Sequence, residues 1–424
     1  MHRSVRKVYQ SHECANMTAP VRLGLRENLA QFSLLVLING FVGAMVGMER
    51  VVIPILAEEA YGLASYVAVL SFIITFGSAK ALANLLAGRL GDQYGRKKLL
   101  IAGWMIGIPV PLILMWAPSW GWIVFANVLL GMNQGFSWTM TVVMKIDLVG
   151  PKQRGLALGI NESVGYMAVG GAAFFSGLIM ASGATDLVFQ IATGIAIVAL
   201  LVSFFFVRET AQHVSMEAGE VGDAPDVPSF QEVFRRTSWT NRRMFAACQA
   251  GLVNNLNDGL AWGLFPLFFA SLGLTLAEVS GAVALYPLVW GVGQLFTGRL
   301  ADSIGRTIPI VSGMILQGMS LLFLLSEPGN LGITLAMIGQ GMGTALVYPS
   351  LLALISDASR PEWRSSSLGV YRLWRDGGYV VGAVMAGLLA DRLGLGVSIG
   401  IIGGLTVISG LVALVNLTSQ QEGE

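Results

Sequence analysis

The chain has 424 residues, 54% of them hydrophobic and 12% charged, and its 26 basic and 25 acidic side chains leave a net charge of +1. A soluble chain usually carries about twice that charged fraction, and so balanced a charge gives no bulk attraction to nucleic acid. The charge lies between long apolar runs, and only apolar segments of roughly 20 residues cross the hydrocarbon core. The expected fold class is therefore all-α integral membrane.

The first 28 residues are polar and basic, and the first apolar run is too long for a signal-peptide core, so no cleavable signal is expected. Met17 is an alternative start, with Met1 to Asn16 as an extension. Two separated cysteines, Cys14 and Cys248, make neither a disulfide framework nor a zinc site. The three histidines have no metal-ligand spacing, and no cofactor-binding pattern is found.

Twelve spans are predicted in chain order: Ala30–Leu56, Ser65–Ala87, Leu99–Ala117, Gly121–Met144, Gly155–Ala181, Asp186–Val207, Met244–Ala270, Ala277–Thr297, Ile308–Ser326, Leu331–Ile355, Ser367–Ala390 and Leu395–Leu417. The loops on one side carry nearly all the loop Lys and Arg, Lys145 among them, and the other side has only Arg392. Basic residues stay cytoplasmic during insertion, which puts both termini inside and the protein in the cytoplasmic (inner) membrane. The predicted organisation is a cytoplasmic tail over 1–29, a six-helix bundle over 30–207, a cytoplasmic linker over 208–243, a second bundle over 244–417 and a tail over 418–424. Residues Glu217–Pro228 of the linker are acidic and rich in Gly, Pro and Ala. Ser229–Trp239 reads as an amphipathic helix on the membrane surface, with Phe230, Val233 and Phe234 on its apolar face.

The halves repeat. Gly88-Arg-Leu-Gly-Asp92-Gln-Tyr-Gly95-Arg96 returns 210 residues later as Gly298-Arg-Leu-Ala-Asp302-Ser-Ile-Gly305-Arg306. Asp147, Pro151, Arg154 and Gly159 return at the same offset as Asp357, Pro361, Arg364 and Gly369, and Pro54 answers Pro266. Two related six-helix bundles joined by a loop are a transporter architecture, with cargo held near the midplane between them.

The doubled run resembles the loop signature of the major facilitator superfamily, and the resemblance covers essentially the whole chain. It implies alternating access and a cytoplasmic gate built from Gly88, Asp92, Gly95, Arg96, Asp147, Arg154, Gly298, Asp302, Gly305 and Arg306. Gly88 would let the second span pass close to the eleventh, and Asp92 would face the N-terminus of that span near Ser365–Ser367. Arg96 would pair with Asp147, closing the cytoplasmic side and breaking as it opens. The plainer reading is that these charges only fix topology and loop folding.

Eight charges fall inside spans: Arg50, Lys80, Arg372, Arg375, Glu49, Glu162, Asp258 and Asp376. Each would cost at least ~2.5–3.5 kcal/mol on insertion scales, so they should face the interior. Lys80, Glu162, Arg372 and Arg375 are expected in a layer in the cytoplasmic half, Asp258 near the midplane, and Glu49 and Arg50 nearer the outside. Asp258 follows Asn254, Asn255 and Asn257 in a polar stretch and is the leading candidate for proton coupling, with Glu162 and Glu49 behind it. Each of the three could instead be half of a static ion pair. Asn127, Gln134 and Trp138, then Tyr286, Trp290 and Gln294, then Gln340, Thr344 and Tyr348 form stripes at helical spacing. Aromatic walls with a few polar groups suit an amphipathic organic ligand, although packing alone also explains them.

Proton-driven drug exporters of the superfamily usually carry an Arg in the fourth span and a Gly-Pro pair in the fifth; here Asn127 and Gly165–Gly171 stand there, with no proline. Two transport readings follow: proton-coupled export of small organic or toxic compounds, or carriage of an anion clamped by Lys80, Arg372 and Arg375. A receptor or membrane enzyme is a third reading, but no nucleotide-binding loop, paired metal ligands or Gly-x-Ser-x-Gly run supports it. The expected partners are a small molecule, protons or another ion, and lipid, for a chain acting as a monomer.

Overall fold

A computed structural model describes residues 23–150, 154–211, 213 and 228–418; side chains at 88, 89, 92, 154, 155, 361, 362, 364 and 365 lie outside the description. The described residues are helical, with no strand. In chain order the helices are α1 (Leu29–Glu59), α2 (Tyr66–Tyr94), α3 (Arg96–Gly107), α4 (Pro109–Met115), α5 (Trp120–Val149), α6 (Arg154–Ala181), α7 (Thr185–Phe205), α8 (Phe230–Arg235), α9 (Arg242–Ser271), α10 (Leu276–Ile304), α11 (Thr307–Phe323), α12 (Asn330–Asp357), α13 (Pro361–Leu393) and α14 (Leu395–Thr418). Helices α3 and α4 together make one span, divided where Pro109 and Pro111 remove two backbone donors. This gives twelve crossings.

Nine of the described segments are long and apolar enough to cross a membrane by length and composition alone. The other three, α5, α9 and α13, are the helices that carry Asn127 and Gln134, Asn254 to Asp258, and Arg372 to Asp376. A helix too polar for lipid must keep its polar side inside the protein, and these three do.

The first six spans pack mainly on one another, α1 on α6 and α2 on α5, as do the last six, α9 on α13 and α10 on α12. Two symmetry-related seams join the sets: α6 against α10 and α2 against α13. Glycine makes both close. A Cβ on Gly291 of α10 would stand 2.9 Å from the Ser163 carbonyl oxygen of α6, and one on Gly387 of α13 would stand 2.9 Å from Val67 Cα of α2.

The signature runs are not loops. Residues 88–94 and 298–304 continue α2 and α10, and the chain turns only at Gly95 (φ 98°) and Gly305 (φ 84°). Those angles belong to glycine, which ends a helix without a Cβ penalty. Because α2 runs on past Ala87, Lys80 lies about 21 Å from the end of the helix, although the apolar span still ends at Ala87.

The linker also differs from expectation. Only residues 230–235 are α-helical, followed by a π-helical turn, Arg236–Thr240. Val233 is 1% exposed and belongs to the core of the last six spans, while Phe230 is exposed. Trp374 Nε1 of α13 donates to Ser238 Oγ at 3.0 Å, and buried Cys248 meets the Thr237 carbonyl oxygen at 3.5 Å. The segment is docked on protein by one residue of the expected apolar face. Residues 217–227, Met17 and Cys14 lie outside the described residues.

Candidate functional site

A layer of charged and aromatic side chains fills the seam between the two sets. At its centre is Asp258 of α9, fully buried. Tyr286 of α10 donates its hydroxyl to Asp258 Oδ1 and lies 3.3 Å from Thr344 Oγ1 of α12. Tyr379, Lys80 and Arg375 are close enough to act on the same carboxylate. The approach of α9 to α13 that creates this site depends on small residues: a Cβ on Gly259 would meet the Tyr379 carbonyl oxygen at 2.7 Å.

Glu49 and Arg50 are part of this assembly rather than separate from it. Their side chains lie 3.5 Å apart, and Asn127 Nδ2 donates to Glu49 Oε2 at 3.2 Å. The Arg50 guanidinium sits 4.5 Å from the Phe76 ring centroid and 5.5 Å from that of Trp262 on α9, so it reaches across the seam. A buried guanidinium over two ring faces retains cation–π attraction in place of part of its hydration.

Toward the basic end, a cavity of about 30 Å³ is lined by Lys80, Asn84, Trp138, Glu162, Tyr166, Tyr348, Arg372, Arg375 and Asp376. That is room for about one water. Glu162 accepts from Trp138 Nε1 at 2.9 Å, Asn161 Nδ2 at 3.1 Å and Tyr348 OH at 3.4 Å. Asp376 accepts from Asn84 Nδ2 at 2.8 Å and lies 3.6 Å from Arg375 Nη1. Arg375 also donates to Tyr166 OH at 3.3 Å and lies 4.2 Å over the Tyr348 ring. Tyr166 of α6 stacks on Trp290 of α10 with centroids 3.5 Å apart, and Trp290 stacks on Tyr286 at 5.8 Å. Glu162 and Arg375, each a candidate for a mutual static pair, have separate partners.

Not every predicted residue arrives here. Asn254 Oδ1 accepts from Gln317 Nε2 at 3.0 Å, and Asn257 bonds both Gln317 and Thr406; these bonds run to α11 and α14, inside the last six spans. Asn255 is buried with neither side-chain polar atom bonded among the described residues. Gln134 Oε1, Gln294 Nε2, Trp290 Nε1 and both polar atoms of Gln340 are likewise buried and unpartnered among the described residues. Sequence reasoning overlooked Asn84, Tyr166, Tyr379 and Trp262. Asn84 and Tyr379 each stand four residues beyond a charge, Lys80 and Arg375, which is the available signal.

Lys145, counted among the loop basics, is fully buried, with Nζ 3.3 Å from the Leu35 carbonyl oxygen. The last turns of α5 pack against α1 instead of entering the loop.

The two faces differ. Opposite the basic loops, Asp391 of α13 caps α2, accepting from Ser65 Oγ at 2.8 Å, Tyr66 N at 2.5 Å and Val67 N at 3.3 Å. On the basic side of Glu162 and Arg372, nothing lies within 4 Å of a Cβ built on Gly159 or Gly369. The two sets are therefore tied together by Asp391 on the face opposite the basic loops. On the basic side, Arg96 Nε donates to Asp147 Oδ2 at 2.8 Å, with Thr210 Oγ1 on the same oxygen at 2.7 Å. Arg306 bridges Asp302 at 2.5 Å and Asp357 at 3.2 Å. Each pair stays within one six-span set, so none of these described bonds bridges the two sets. The expected Arg96–Asp147 pair is thus present. The side chains of Asp92, Arg154 and Ser365, and position 88 beyond its helical backbone, lie outside the described residues.

Twelve helices in two related sets around a buried polar layer define a polytopic membrane transporter. The chain belongs to the Major Facilitator Superfamily, whose family model matches residues 33–255 and 247–423. It is 20% identical to an uncharacterized MFS-type transporter of Methanocaldococcus jannaschii over 76% of this chain and 81% of that protein. It is 28% identical to the quinolone resistance protein NorA of Staphylococcus aureus over 32% of this chain and 35% of that one, so the matched stretch is about a third of each. Two solved structures of POT family transporters, one with a thioalcohol-conjugated peptide and one with 5-aminolevulinic acid, share the fold with TM-scores of 0.72 and 0.71. They cover 93% and 91% of this chain, and 96% and 95% of their own, at 12% and 11% identity.

Proposed function

We propose that this protein is a secondary active transporter that works by alternating access and couples export of small organic or toxic compounds to protons. The two six-span sets are its moving bodies, 208–243 its linker, and the basic face its cytoplasmic side. The observation that carries this reading is Asp258, a fully buried carboxylate at the seam, held by a tyrosine and set among Lys80, Arg375 and Tyr379. A proton arriving at such a group weakens its hold on Tyr286 and its attraction to Lys80, the one positive charge of the first six spans acting on it, and a change of that kind can link protonation to a conformational change. The local likeness to NorA supports export. The test is flux in sealed proteoliposomes under an imposed pH gradient, wild type against Asp258→Asn, over organic cations, neutral compounds and anions. Gradient-driven flux that the substitution abolishes is expected; flux indifferent to both sinks the coupling.

A second reading, anion carriage, is favoured by Lys80 and Arg372, basic groups that line the cavity with no carboxylate at ion-pair distance among the described residues.

A further inference from the structure

The acids and bases of the central layer are not equally occupied. Glu162 takes three donors, Asp376 an amide and a guanidinium, and Asp258 a hydroxyl. Lys80 is 7% exposed, and its ammonium rests 4.7 Å from the Tyr379 ring centroid with no carboxylate at ion-pair distance among the described residues. Arg375 Nε is buried without an acceptor. Burying a cation without a counter-charge is costly. Asp376 Oδ1 and Asp258 Oδ2 are also buried without a hydrogen-bond donor among the described residues, but each of these carboxylates keeps a partner through its other oxygen, whereas Lys80 has no carboxylate partner there, so the unmatched charge in the cavity is positive.

The rings tell the same story. Three rings of the layer already carry the protein's own cations, Tyr348 with Arg375 at 4.2 Å, Phe76 with Arg50 at 4.5 Å and Tyr379 with Lys80, which leaves fewer aromatic faces for a cationic ligand. Tyr166 and Trp290 instead face each other, one from each six-span set, with an interplanar angle of 27°. Tyr166 OH accepts from Arg375, so the edge of this stack lies at the basic cluster. A flat ring entering between them would replace one ring contact by two.

We infer that the cargo is a small planar aromatic carboxylate, its acid group held by Lys80 and Arg372 and its ring inserted between Tyr166 and Trp290. This rests on the transporter reading above and narrows it. The test is calorimetric binding to the full-length protein in detergent, using 2-naphthoate, 2-naphthamide, 2-naphthylmethylamine and cyclohexanecarboxylate. Naphthoate is expected to bind about 10–100-fold more tightly than the amide or amine. Lys80→Gln removes that advantage and Lys80→Arg restores it, the rescue showing that the site is intact. Tyr166→Leu abolishes the preference for naphthoate over cyclohexanecarboxylate. An amine that binds as well as naphthoate, or naphthoate binding indifferent to Lys80→Gln, overturns the inference. Gradient-driven flux of cations with no naphthoate binding sinks the cargo class and keeps the transporter; Lys80-dependent naphthoate binding with no gradient-driven flux does the reverse.

Discussion

Asp391 is an exposed carboxylate that ties α13 to the first turn of α2 on the face away from the basic loops. Asp391→Ala removes three accepted hydrogen bonds and leaves two backbone donors to water. Hydrogen bonds to charged groups contribute about 1.5–3 kcal/mol each when protected, but exposed ionic contacts are worth about 0–1 kcal/mol. Three bonds on an exposed group, with the favourable charge at a helix N-terminus, come to about 1–2 kcal/mol. All of it belongs to the form closed on this face, so the substitution should shift the closed-to-open ratio about 5–30-fold toward open. Val51 reports the change. It is fully buried on α1, beside the Gly177–Ser280 contact between α6 and α10. With Cys14→Ser and Cys248→Ala as background, Val51→Cys in vesicles should react with a membrane-impermeant maleimide from the Asp391 face. The rate is expected to rise by that factor in Asp391→Ala and by less in Asp391→Asn, which keeps an acceptor. An unchanged rate would refute the gate and leave these bonds as a helix cap alone.

Gly291→Ala forces a methyl against the Met167 amide and the Ser163 carbonyl; it should cost about 1–3 kcal/mol, read as a lower unfolding midpoint, and an unchanged midpoint would mean that the α6–α10 seam gives way freely. Arg96→Ala leaves buried Asp147 with Thr210 as its remaining described hydrogen-bond partner and should destabilise by about 3–5 kcal/mol, whereas the double substitution with Asp147→Ala recovers part of the loss; additive losses would show that the pair is not coupled. Lys145→Met removes a fully buried ammonium whose bond is to one carbonyl, so the protein should gain about 1–3 kcal/mol, and a lower midpoint would reveal a partner that the static contacts do not account for.

The architecture was legible because lipid imposes a length on every apolar run. The repeat was legible because both halves kept the same run. What periodicity conveys is a face, not its neighbour. Asn254 and Asp258 lie on one stretch of α9 and look alike in sequence, yet the first bonds Gln317 on α11 and the second bonds Tyr286 on α10, a helix that also packs against the first six spans. Lys145 looked like a loop residue because α5 ends in polar positions, and only the packing of α1 over it hides the charge. The pairing of Tyr166 with Trp290 joins residues 124 positions apart on different helices, beyond any local pattern. The extra turns of α2 and α10 were missed for a simpler reason: polar residues past the membrane boundary end hydropathy, not helix.

The small size of the central cavity bears on what an idle protein does to its membrane. About 30 Å³ accommodates one water, and stacked rings fill the space beyond it. A lone water cannot form the hydrogen-bonded file along which ions or protons slip, so this cavity by itself offers no aqueous path across the seam. A transporter built with such a seam would let a cell keep many copies in place without dissipating its gradients.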